Sequence, residues 1–222
     1  MLTDDLINSY DDKFSSTISH PLVQQLCAGT LPDKTLFIYL TQDLKYFALY
    51  LKIILKTAYL CKDEATTIRF GKQIGFITND ENDYFEKTVN FLLKRDPSLK
   101  KYQDKSFIPH QVKEYINFLE ELAARLEDYS YNQLVTYLWT TEIVYLRWAQ
   151  LFLATPDAIP KDLHWRFREW IDLHSIESFE EYVIFLQRQV DGISDRNEVE
   201  EIFRKTVNLE YGFFEGSTEQ TR

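Results

Sequence analysis

The sequence predicts an all-α protein folded as one multi-helix bundle. Nearly every long segment repeats its apolar residues at a period of three to four. Glycine and proline number only six each in 222 residues, too few for a loop-rich sandwich, a propeller or a Gly-lined dinucleotide fold. The composition, 45% hydrophobic and 27% charged, is that of an ordinary globular chain long enough to bury a sizeable core.

A first helix is expected near residues 3–16. A second runs over about 33–61, with Leu36, Leu40, Phe47, Leu51, Ile54 and Ala58 recurring along one side. A third follows Asp63 and extends to about residue 94, where Asp96-Pro97 stops it. A turn or short helix then leads to Phe107-Ile108-Pro109. The fourth covers roughly 110–127 and groups Val112, Tyr115, Ile116 and Leu119. Ser130 caps a fifth helix that ends near Ala154, ahead of the breaker Thr155-Pro156-Asp157. Segments 161–173, 176–189 and 196–214 complete seven or eight helices. The last has Asp195 as N-cap and Glu198 at the capping-box position. No repeat or change of composition divides the chain, so residues 1–215 form one domain and 216–222 a polar tail expected to fray. Gly71 and Gly75 make a G-x-x-x-G within the third helix, a spacing that predicts close helix packing.

The formal charge of −10 disfavours nucleic acid as a partner, because phosphate binding needs clustered lysine and arginine. Lys94-Arg95 and Lys100-Lys101 are too short and dispersed to serve. The most apolar stretch, 46–60, is interrupted by Lys52 and Lys56, so no membrane span is expected. The first ten residues carry Asp4 and Asp5 in place of the basic start and apolar core of a secretory leader. Two cysteines, Cys27 and Cys61, without a C-x-x-C fit a reducing compartment. A cytoplasmic location is therefore expected.

In a helical bundle the chemistry sits on side chains that point inward. An acid standing where the pattern wants an apolar residue needs a reason, because burying a charge is costly. Glu210 lies on the stripe Phe203, Val207, Glu210, Phe214. Glu142 lies on Leu138, Glu142, Tyr145, Ala149, Phe152, flanked by Trp139 and Trp148. Asp43 sits mid-helix, a poor place for aspartate, with Tyr46, Phe47 and Tyr50 at i+3, i+4 and i+7. Each has an ordinary rival reading: a helix-edge glutamate reaching solvent, a pairing of Glu142 with Arg147, a structural hydrogen bond for Asp43. Together these acids and phenols suit a planar, nitrogen-rich ligand, whose amino groups donate to carboxylates while rings stack on its faces. No metal site is expected: no histidine has a glutamate three residues before it, and no H-E-x-x-H occurs. A lone His20 is slim ground for haem, and no G-x-S-x-G marks a hydrolase elbow. The histidines are assigned structural or surface work, and no cofactor is expected.

These residues also carry a family resemblance, spread over His20-Pro21-Leu22-Val23, Gly29-Thr30-Leu31-Pro32 and Tyr39-Leu40-Thr41-Gln42-Asp43. It continues through Trp139-Thr140-Thr141-Glu142-Ile143-Val144-Tyr145, Phe179-Glu180-Glu181-Tyr182-Val183 and Asn208-Leu209-Glu210-Tyr211-Gly212-Phe213-Phe214. In order and spacing the chain resembles the thiaminase II (TenA) family, which implies a haem-oxygenase-like helical bundle. One class of that family carries a nucleophilic cysteine on the helix equivalent to 130–154. This chain has none there, and its Trp139, Glu142 and Tyr145 match the W-x-x-E-x-x-Y of the cysteine-less class. Phe167 stands where the cysteine class has a pocket tyrosine, and Phe214 where many relatives have tryptophan.

The resemblance implies hydrolysis of 4-amino-5-aminomethyl-2-methylpyrimidine, of its N-formyl derivative, or of both, in thiamin salvage. It implies that Asp43 grips the ring nitrogen and 4-amino group, that Glu210 is the main acid–base residue, and that Glu142 binds substrate or assists water. Tyr46, Tyr145, Tyr115, Trp139 and Phe47 would line the site. A homodimer or homotetramer is implied as well. Cleavage of thiamin itself is disfavoured, since water replaces a thiolate poorly. Two other readings stay open from sequence: a catalytically weak pyrimidine-binding or regulatory protein of this fold, and a helical domain with a structural or partner-binding role.

Overall fold

The centre of the molecule is a 28-residue helix whose first turns are buried on every side, from Thr35 to Asp43. A helix apolar all round must lie inside, and its neighbours enclose it. The computed structural model describes residues 1–125 and 127–219. In chain order the helices are α1 (Leu2–Asn8), α2 (Asp11–Ile18), α3 (Pro21–Cys27), α4 (Asp33–Leu60), α5 (Glu64–Phe76) and α6 (Asn82–Arg95). They continue with α7 (His110–Ala124), α8 (Tyr131–Ala154), α9 (Trp165–Leu173), α10 (Glu177–Asp191) and α11 (Arg196–Glu219). A π turn, Ile77–Glu81, joins α5 to α6, and a 3₁₀ segment, Pro97–Gln103, follows α6. The fold is all-α, with no strand among the described residues.

Three long helices, α4, α8 and α11, with α7, form the packed heart: α11 lies against α8, α7 and α4, while α10 covers α8 and α5 and α6 cover α4. The α8 start is fixed by a capping box in which Ser130 and Gln133 bond each other's backbone N–H. At the far end of α4, the Lys56 ammonium donates to the carbonyl oxygens of Leu122 and Arg125, satisfying the exposed end of α7.

Several expected elements are corrected. The first helix is two, because Ser9 Oγ bonds the Leu6 carbonyl at 2.9 Å and Tyr10 N–H turns back to Ile7, ending α1. The third is interrupted by the π turn. The fourth stops at Ala124, where Arg125 is extended; residue 126 of the expected span lies outside the described residues. Helix α9 begins at Trp165 instead of 161, with the His164 ring accepting from the Arg166 N–H. Asp195 does accept from the Asn197 N–H at 3.0 Å, but Glu198 bonds Ser130 Oγ and Asn132 Nδ2 across at the start of α8. Helix α11 continues through Gly216 and the buried Ser217, where Gly216 passes close to Gln111. The end of the expected tail, 220–222, lies outside the described residues.

The glycine pair does not serve close packing: a Cβ on Gly71 or Gly75 would meet nothing within 4 Å. Gly29 is the glycine the fold demands, at φ +72° and with Leu163 Cδ1 only 2.7 Å from where a Cβ would stand. No helix among the described residues is long and apolar enough to cross a membrane.

Candidate functional site

About two turns of α4 and one turn of α8 line a cavity of about 40 Å³. From α4 come Asp43, Tyr46, Phe47 and Tyr50, and from α8 Thr141, Glu142 and Tyr145. The spacings i, i+3, i+4, i+7 and i, i+1, i+4 are those that put side chains on one helix face. Glu81 enters from the π turn, Phe85 from α6, Trp170 from α9 and His174 from the residue that caps α9.

The walls are aromatic. Tyr46 and Tyr50 stack at 5.4 Å, Phe47 meets Phe85 edge-on at 5.8 Å, and Tyr145 lies over His174 at 4.8 Å. Behind them phenols bond in pairs, Tyr39 with Tyr145 at 3.2 Å and Tyr46 with Tyr137 at 2.7 Å.

The acids differ in how they are held. Glu142 accepts from the Tyr50 hydroxyl, and Arg147, its expected rival partner, instead points outward to Gln150. Glu210 is 1% exposed, which removes the solvent-reaching alternative, and accepts from Tyr115 Oη at 2.5 Å. Asp43 is 7% exposed and its carboxyl makes no hydrogen bond to any described residue. Burial, with the charge of Glu142 added, pushes Asp43 up to about 8. Burial likewise raises Glu142 to about 7, against the pull of the Tyr50 hydroxyl, and Glu210 to about 8. Glu81 is also held well above the usual carboxyl range, by burial first and then by Glu142 and Asp43. No lysine or arginine among the described residues lines the cavity. Near neutrality such a site holds protons on its acids, so it can give as well as accept them.

Of the expected site residues, Asp43, Tyr46, Phe47, Glu142 and Tyr145 line the cavity. Glu210 and Tyr115 stand one residue back, reaching it through Thr141, whose hydroxyl lies 3.4 Å from Tyr115 Oη. Trp139 is turned away, its ring stacked on Phe203 at 5.7 Å, because at about 100° per residue it falls to one side of Glu142 while Thr141 and Tyr145 fall to the other. The residues missed are Tyr50, Glu81, Phe85, Thr141, Trp170 and His174. Tyr50 was visible at i+7 from Asp43. His174, a histidine for which structural or surface work was expected, lines the cavity. Its signal was only a one-turn spacing from Trp170. Among the described residues no group of three or more acids, histidines or cysteines is placed to hold a metal ion.

Three comparisons bear on this geometry. The model of the family described as TENA/THI-4/PQQC matches residues 8–220. A Helicobacter pylori protein named aminopyrimidine aminohydrolase is 27% identical over 212 residues, 89% of each chain. Among solved structures, a TenA homologue from P. horikoshii OT3 superposes with a TM-score of 0.81 at 20% identity, covering 99% of both chains. A TenA homologue from Pyrococcus furiosus gives 0.74 at 16% identity, covering 98% of this chain and all of the other. At those identities the structural likeness establishes the fold.

Proposed function

The chain belongs to the TENA/THI-4/PQQC family, and on that premise we propose that it is a C–N hydrolase of thiamin-derived aminopyrimidines. Its substrates are 4-amino-5-aminomethyl-2-methylpyrimidine, the N-formyl derivative, or both. The observation that carries this reading is Asp43, an acid buried without a hydrogen-bond partner among the described residues, facing an aromatic-walled cavity lined by no described lysine or arginine. A buried polar group is nearly always bonded, and a ring nitrogen with an adjacent amino group offers Asp43 both a proton site and a donor. The name of the H. pylori relative supports the reaction class.

In this reading Tyr46, Phe47 and Tyr145 hold the ring faces and Asp43 fixes its edge. Glu142, kept in place by Tyr50, takes a proton from the attacking water. For the aminomethyl substrate the C–N bond breaks with its electron pair going to nitrogen, which leaves as ammonia, while a C–O bond forms from water. For the formyl substrate water adds to the formyl carbon, and formate and the amine separate. Glu210 acts from behind, exchanging protons by way of Tyr115 and Thr141. Acids raised toward neutrality suit both steps. A cytoplasmic homodimer or homotetramer is part of the proposal. The exposed Leu55, Tyr59 and Ile68 on α4 and α5 are apolar surface of the kind a second copy covers.

The test is to incubate the protein with each pyrimidine and with thiamin, following products by mass-resolved chromatography. We expect turnover of at least one pyrimidine, intact thiamin, and a loss of about a hundredfold or more in kcat for Glu142→Gln. A folded protein that turns over neither pyrimidine overturns the reading.

A further inference from the structure

Two groups in the cavity have no part in the scheme above. His174 is 3% exposed, and its Nδ1 lies 2.8 Å from the Trp170 carbonyl oxygen. A carbonyl only accepts, so Nδ1 carries the ring proton. Burial lowers His174 to about 4, which keeps the ring neutral and leaves Nε2 as a bare acceptor. Glu81 Oε1 stands 4.0 Å from that nitrogen, too far for a hydrogen bond between them. Both side chains line the cavity.

The separation has a meaning of its own. Two acceptors served by one tetrahedral donor, each at about 2.8–2.9 Å, end up roughly 4–4.7 Å apart. A primary ammonium has three such hydrogens, and a hydroxyl has one. We propose that Glu81 and His174 form a two-acceptor notch for the protonated aminomethyl group, making this chain select the amine substrate over its neutral N-formyl and hydroxymethyl counterparts. The inference rests on the pyrimidine reading and deepens it by assigning the side-chain end of the substrate. Asp43, which lines the same cavity, takes the ring end. The raised affinity of Glu81 for its proton fits the same role, since the acid ionises when a cation arrives and otherwise stays neutral. As the C–N bond breaks, nitrogen takes the bonding pair and departs as ammonia. The proton removed from water by Glu142 then converts it to ammonium, with the hydroxymethyl product left behind.

The test compares the aminomethyl pyrimidine with the hydroxymethyl pyrimidine, which differ only at this group. Dissociation constants are measured by calorimetry for the intact protein, Glu81→Gln and His174→Gln, and KM is followed where turnover occurs. The intact protein is expected to prefer the amine by about tenfold to a hundredfold, the worth of one charge-assisted bond. Glu81→Gln abolishes most of that preference. Glu81→Asp restores part of it, and His174→Gln weakens it by about threefold to tenfold. A preference unchanged in Glu81→Gln, or absent from the intact protein, overturns the notch while leaving pyrimidine hydrolysis standing. Binding of both compounds without turnover overturns the hydrolase reading alone. Binding of neither overturns both.

Discussion

Helix α4 buries one lysine and one aspartate, and they are treated in opposite ways. Lys56, 5% exposed, spends its ammonium on the carbonyls of Leu122 and Arg125, so the charge closes the end of α7. Asp43, about three and a half turns earlier and 7% exposed, has no such closure and faces a cavity. The first arrangement is complete within the protein. The second is incomplete until something else supplies donors. Burial of a charge therefore says little by itself, and what the charge is bonded to separates a structural ion from one kept for a ligand.

That contrast can be broken at either end. The largest effect is expected from Asp43→Asn, which should lower kcat/KM for the pyrimidine substrate by about a thousandfold, since the ring edge then meets a mismatched partner. Steady-state kinetics checks the loss, and a melting temperature equal to or above that of the parent shows that the fold is untouched. Lys56→Met should do the reverse. It should cost about 2–4 kcal/mol in urea denaturation, because two carbonyls lose their donor, with pyrimidine affinity kept.

The smallest of the three effects sharpens the comparison through pH. Folded Asp43 and Glu210 sit at about 8 and Glu142 at about 7, above model values of 3.8 for aspartate and 4.5 for glutamate. Between those limits the folded state holds more protons than the unfolded one, so its stability falls as pH rises from about 4 to about 8. Asp43→Asn removes one of these groups and should gain about 1–2 kcal/mol near pH 8, flattening that slope in urea titrations. A slope left unchanged by the substitution would mean that Asp43 keeps an ordinary proton affinity.

What could be read from sequence follows the same line. Asp43, Glu142 and Glu210 were visible because each interrupts an apolar stripe, and all three are buried where the stripes required. Tyr46, Phe47 and Tyr145 followed from helical spacing around them. Trp139 shares that motif but faces Phe203, because a linear pattern does not say which of two buried faces a residue takes. Glu81 was hidden for another reason. It stands in the middle of the polar run Asn79-Asp80-Glu81-Asn82-Asp83, where no apolar period exists to interrupt, and only the π turn carries it inward. The break at Ser9-Tyr10 and the early stop of α7 were equally local, set by single hydrogen bonds and one extended residue. Long periodic helices such as α4 and α8 were legible because many residues vote for them.

The π turn at Ile77–Glu81 has an evolutionary consequence. Such a turn amounts to a helix that has accepted one surplus residue. Deleting that residue would let the chain from α5 to α6 rewind as an uninterrupted α-helix while sweeping Glu81 about 100° around the axis. Relatives could therefore acquire or lose this acid by a change in length rather than in identity, an event that a comparison of aligned letters records as a gap.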